Sequence, residues 1–128
     1  MKLFDRSPVH PVGFREAMPI DVAESRSQVR LVDVREPPEF SGELGHIEGA
    51  ELVPLATIAT AAAAWPRDRD IVVVCRSGGR SGRAAAQLVS MGFTRIINMT
   101  GGMIGWNDAR LPTVRTSAGG DPERILPQ

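Results

Sequence analysis

The sequence contains one cysteine, Cys75, and one lysine, Lys2, against fourteen arginines. A single cysteine excludes an internal disulfide and any metal site built from several cysteines. The opening residues, Met1-Lys2-Leu3-Phe4-Asp5-Arg6, hold no apolar core of signal-peptide length. No hydrophobic run is long enough for a membrane-spanning helix. The formal net charge is +0, which argues against nucleic acid as an obligatory partner. No self-similarity appears at the periods of solenoid repeats. A reactive thiol suits a reducing compartment, so these absences together predict a cytoplasmic protein with no membrane partner.

A further absence is local. From Ile71 to Asn107 there is no Asp or Glu, while the same stretch carries Arg76, Arg80, Arg83 and Arg95. Acids crowd the region from Asp5 to Asp70 instead. Acidic side chains favour the first turn of a helix, yet the segment after Cys75 opens Ser81-Gly82-Arg83 with none. That leaves room for an anion from outside.

What is present reads as one globular domain. The chain has 128 residues, 42% hydrophobic and 23% charged, which is ordinary for a folded domain with a single core. Residues 1–11 are polar and Pro-marked and predict a loose arm. Val12 to Ala17 predicts a short edge strand, and Pro19 to Ser27 a short helix with proline at its entry. Arg30 to Val34 and Glu51 to Val53 predict buried strands. Pro37 to Phe40 predicts a brief helical turn, Ser41 to Ala50 a Gly-rich loop, and Leu55 to Trp65 an Ala-rich helix stopped by Pro66.

Asp70 to Cys75 is the clearest strand, because a run of β-branched residues suits burial on both faces. Ser81 to Met91 predicts a helix ended by Gly92. Phe93 to Asn98 predicts another strand and Met103 to Ala109 a last helix. Residues 117–128 are rich in Gly, Pro and charge, and predict a flexible tail. Strands alternating with helices imply an α/β fold, a parallel sheet of about five strands covered on both faces. The domain is expected over residues 12–116.

Ligands of such sheets sit at the carboxyl ends of the strands, and Cys75 lies there. A lone cysteine is ordinarily a small buried hydrophobe. Here the run Cys75-Arg76-Ser77-Gly78-Gly79-Arg80-Ser81 leads from a strand into a helix N-terminus. Unpaired N–H groups and the helix dipole favour negative charge there, and both depress a thiol pKa. Gly78 and Gly79 allow consecutive N–H groups to converge as a nest. Arg80 offers a planar guanidinium to an anionic substrate. Arg76 points either to that anion or to solvent. Ser77 and Ser81 are polar supports, and Ser81 serves equally as a helix cap. The catalytic candidate is Cys75. The substrate-binding candidates are Arg76, Ser77, Gly78, Gly79, Arg80 and Ser81.

This loop resembles the active loop of the rhodanese family of sulfurtransferases. Leu31-Val32-Asp33-Val34-Arg35-Glu36 with Glu39-Phe40, and Gly45-His46-Ile47-Glu48-Gly49-Ala50 with Val53-Pro54, resemble that family's earlier signatures. Gly101-Gly102-Met103 with Trp106 and Leu111-Pro112 resembles its C-terminal one. The blocks run in the family's order from about residue 13 to 113, and Glu48 stands where proline is common.

The resemblance implies a mechanism. The Cys75 thiolate attacks the sulfane sulfur of thiosulfate or a similar small anion, sulfite leaves, and the persulfide passes its sulfur to a thiol or cyanide. No metal or cofactor is implied. A partner protein is implied only if the domain is a persulfide carrier. Related phosphatases place five residues between cysteine and arginine; here the four residues Arg76 to Gly79 make a tighter ring. In the same light Asp33, Arg35 and His46 are expected to hold loops rather than to catalyse, and Trp65 and Trp106 to pack.

Overall fold

The computed structural model describes residues 1–116. Five strands form one sheet: β1 (Arg15–Ala17), β2 (Arg30–Asp33), β3 (Glu51–Leu52), β4 (Ile71–Val74) and β5 (Ile96–Met99). Their order is β1-β5-β4-β2-β3, and every pairing is parallel. Six helices accompany them: α1 (Leu3–Arg6), α2 (Pro19–Glu24), α3 (Pro37–Phe40), α4 (Ile58–Ala62), α5 (Gly79–Ser90) and α6 (Gly102–Asp108). The expected α/β architecture with five parallel strands is therefore the one observed.

Strand β4 shows why the sheet needs cover on both sides. Its side chains alternate between faces, and all four residues are buried. Ile71, Val73 and then Cys75 join one apolar cluster with Ala84, Ala85 and Leu88 of α5 and Ile58 and Ala62 of α4. Val72 and Val74 join the other, with Val22 of α2 and Met103 and Trp106 of α6. Neighbouring β2 and β4 send the chain in opposite directions along the sheet, β2 to β3 and β4 to β5. Their carboxyl ends thus border the crevice where such sheets bind ligands.

The first eleven residues, expected as a loose arm, are folded onto the sheet. Leu3 and Phe4 of α1 are 1% and 8% exposed. Arg15 lies over the Phe4 ring and donates to the carbonyl oxygens of Phe4 and Ser7. Arg95 holds Asp5 with two hydrogen bonds, 3.2 and 2.9 Å. The burial of Leu3 and Phe4, together with the Arg15 and Arg95 contacts, works against the ordering entropy of the segment. Residues 117–128, expected as a tail, lie outside the described residues.

Other differences are at element ends. β1 begins at Arg15 rather than Val12, and the expected helix from Pro19 ends at Glu24, followed by a single 3-10 turn over Arg26–Gln28. The segment from Leu55 splits into a 3-10 turn and α4. α5 starts two residues earlier than expected, because Gly78 takes φ 112° and acts as its N-cap. Gly79 and Arg80 consequently sit in the first turn of the helix. No helix among the described residues is long and apolar enough to cross a membrane.

Candidate active site

Cys75 follows the last residue of β4 and is 1% exposed. Its inner side belongs to the apolar cluster beneath α5. Its sulfur meets hydrogen-bond donors from the loop. The N–H of Gly78 donates to Sγ at 3.0 Å, and the Ser81 hydroxyl lies 3.3 Å from Sγ, with Asn98 Oδ1 competing for its single proton. The N–H groups of Ser81 and Ser77 also favour the charged sulfur. Burial alone pushes the Cys75 thiol up, but these hydrogen bonds outweigh it, and the net shift is downward from the ordinary value. The donors are thus aimed where a thiolate needs them, although apolar packing surrounds the other side.

Two supports hold the cradle in shape. Asn98 on β5 is buried beneath it. The Ser81 hydroxyl lies 2.5 Å from Asn98 Oδ1, and Asn98 Nδ2 donates to the Gly78 carbonyl at 3.4 Å. Asn98 therefore touches both residues that donate from the loop to Sγ. The second support is α6, whose Met103 and Ile104 N–H groups donate to the carbonyls of Cys75 and Arg76 at 2.8 and 3.0 Å. That approach requires glycine at 102, where a Cβ would stand 2.5 Å from the Cys75 and Arg76 carbonyl oxygens.

The candidate anion ligands are placed differently from one another. Arg80, expected to face a substrate anion, directs both terminal nitrogens to Glu39 of α3, at 2.7 and 2.8 Å. Pairing with the Arg80 guanidinium holds the Glu39 carboxyl down at about 2, against burial that raises it. Arg76 is exposed and lines a pocket of about 180 Å³ with Arg35, Pro38, Glu39, Glu43 and Leu44. Ser77 is exposed at the turn, and Gly79 opens α5 with no atom within 4 Å of its Cβ position.

Asp33 and Arg35 are a buried pair joined at 2.7 Å. Arg35 also donates to the carbonyls of Glu39 and Gly45, so it ties β2 to α3 and to the loop that follows it. His46 donates from Nδ1 to the Phe40 carbonyl at 2.8 Å and stacks on the Phe40 ring. Burial holds its pKa below the usual value. Trp106 is 1% exposed and gives its N–H to the Pro112 carbonyl. These four side chains bind loops or fill the core. No group of three or more potential metal ligands occurs among the described residues.

Sequence reasoning did not assign roles to Glu39, Asn98 and Gly102 at this site. Glu39 and Gly102 stood within recognised signature blocks, but their contacts reach across 41 residues to Arg80 and across the sheet edge to Cys75.

A parallel α/β sheet carrying a thiol in a glycine turn at a helix N-terminus defines a class of small anion-loop proteins. Within that class a family model described as "Rhodanese-like domain" matches residues 20–109, and the chain belongs to the rhodanese family. It is similar to a protein named "Sulfurtransferase" from Allochromatium vinosum, 42% identical over 86 residues, covering 67% of this chain and 78% of that one. A "Putative sulfur carrier protein YrkF" from Bacillus subtilis is 34% identical, over 65% of this chain and 44% of its own length. The chain spans about half, 48%, of the length of slr1261 from Synechocystis, an uncharacterized protein 44% identical over 88 residues. Among solved structures, a rhodanese-related protein from Thermoplasma volcanium superposes with a TM-score of 0.72 at 28% identity, covering 79% of this chain and 98% of that one.

Proposed function

We propose that this protein is a sulfurtransferase that moves a sulfane sulfur from a small anionic donor, thiosulfate or a chemical relative, to a thiophilic acceptor such as a thiol or cyanide. Cys75 is the nucleophile. Its thiolate forms a bond to the sulfane sulfur, the S–S bond of thiosulfate breaks, and the electron pair leaves on sulfite. Cys75 then carries a persulfide, and the acceptor takes its outer sulfur and returns the thiolate. The observation that carries this reading is the convergence of main-chain N–H groups on Cys75 Sγ, that of Gly78 at 3.0 Å with those of Ser77 and Ser81 beside it. Fixed donors of this kind stabilise negative charge on the sulfur at no reorganisation cost during the reaction. The reaction balances without a metal or redox cofactor. A single reactive thiol of this kind is best kept available in the reducing cytoplasm.

The second reading is a persulfide carrier loaded by a partner protein. It is favoured by the relative named a sulfur carrier and by the engagement of Arg80 with Glu39. Intact mass spectrometry separates the readings. After incubation with thiosulfate and no reductant, a sulfurtransferase gains one sulfur atom of mass, and Cys75→Ser gains none. Rapid ping-pong turnover of thiosulfate and cyanide supports the enzyme, whereas slow loading by thiosulfate supports the carrier. No adduct from any sulfane donor contradicts both.

A further inference from the structure

Arg80 is the loop cation best suited to an anion by its position in the first turn of α5, yet both of its terminal nitrogens are occupied. Glu39 takes them in a two-point pair, with the side chains 30% exposed on each partner. Glu39 is itself fixed. Its Oε1 accepts the Glu36 N–H at 3.0 Å, closing a capping box at the start of α3. Its carbonyl accepts from Arg35, which is anchored on buried Asp33. This carboxylate is built into the scaffold rather than trailing in solvent.

The charge around the thiol follows from these positions. The Glu39–Arg80 pair is neutral as a unit; Arg80 is close enough to Cys75 to feel the thiolate's charge, and Glu39 lines a neighbouring pocket with Arg76. Glu43 lines the same pocket, and Arg35 there is already matched by Asp33. Arg76 is then the cation of this pocket with no carboxylate partner among the described residues. A dianion that is to be bound by Arg80 beside the Cys75 thiolate has to displace Glu39 from it. A donor with one negative charge meets less repulsion from Glu39, Glu43 and the thiolate.

We propose that Glu39 is a specificity-determining residue: by holding Arg80 it turns the site away from dianionic donors such as thiosulfate and toward organic persulfides. This rests on the sulfur-transfer reading and names its donor class. With an organic persulfide, the Cys75 thiolate bonds to the outer sulfur, the RS–S bond breaks, and the pair leaves on the thiolate RS⁻. Nothing is oxidised or reduced overall, and no co-reactant is needed.

The test compares thiosulfate with benzenethiosulfonate, a monoanion that delivers the same sulfane sulfur and releases a sulfinate. Glu39→Gln keeps an oxygen for the Glu36 N–H and removes the charge. The ratio of kcat/KM for thiosulfate to that for benzenethiosulfonate rises about three- to tenfold in Glu39→Gln, and the rise shrinks with added salt. In Arg80→Ala the ratio falls, because Glu39 is left as a lone carboxylate at the mouth. Adding Glu39→Gln to Arg80→Ala raises it again, which keeps the test decisive if the single Glu39 variant folds poorly. A ratio that stays level or falls on removing the Glu39 charge overturns the assignment. If neither donor adds a sulfur atom to Cys75 by intact mass, the sulfur-transfer reading itself fails. If sulfur is added and the ratio does not move, only the role of Glu39 fails.

Discussion

Two arginine–carboxylate pairs stand near the thiol loop, and they differ in what they can be used for. Asp33–Arg35 is joined at 2.7 Å with both side chains 1% exposed. Glu39–Arg80 has the same 2.7 Å separation with both side chains 30% exposed. The buried pair has no water to fall back on, so its charges stay together and its remaining donors brace the carbonyls of Glu39 and Gly45. The part-exposed pair keeps contact with water, so either charge can be removed at little cost in stability. Equal geometry therefore yields a brace of the fold in one case and a charge setting of the site in the other.

The largest break of this comparison is Arg35→Leu. It strands a buried Asp33 carboxylate and frees the Glu39 and Gly45 carbonyls, and it lowers unfolding free energy by about 3–5 kcal/mol in denaturant titration. A loss as small as that from a surface charge would place Arg35 outside the scaffold. Arg80→Ala sits next. Its stability changes by less than about 1 kcal/mol, while KM for thiosulfate rises about tenfold, because the Glu39 carboxylate is left unpaired to repel the dianion. An unmoved KM would show that the Glu39–Arg80 pair does not act on the donor.

The mildest probe is acid. Glu39 is held at about 2 against an ordinary 4.5, so the folded state binds this proton more weakly than the unfolded chain. Its contribution is complete above about 4.5 and disappears as the pH falls through about 2. Glu39→Gln removes that part of the acid dependence of the thermal midpoint. An identical acid profile in the variant would show that the pair adds no pH-linked stability.

How much of this was legible follows from the range of each interaction. Strand β4 could be read directly, because Ile71-Val72-Val73-Val74 admits little besides a strand buried on both faces. The thiol loop could be read as well, since its glycines, arginines and serines are contiguous. The start of α5 could not be fixed to the residue, because the left-handed conformation of Gly78 decides it and two adjacent glycines offered the choice. The N-terminal helix was missed because the neighbouring polar residues and prolines masked Leu3 and Phe4, and the Phe4 ring meets Arg95 from far along the chain. Asn98 was invisible for a similar reason. Within a strand it reads as one polar residue in an apolar run, and only the packing of α5 on β5 brings it to Ser81. Arg80 is expected from the sequence as an anion ligand, and its pairing with Glu39 could not be read there, since nothing local marks Glu39 as its partner.

The central claim is that loop donors hold Cys75 as a thiolate despite its burial. Titrating that thiolate, by its ultraviolet absorbance and by the pH dependence of its alkylation rate, measures the claim directly. The midpoint is predicted to lie below the ordinary thiol range and to move upward in Ser81→Ala, which deletes the hydroxyl at 3.3 Å. A wild-type midpoint at or above the ordinary range of about 8.5, with no response to Ser81→Ala, would contradict it.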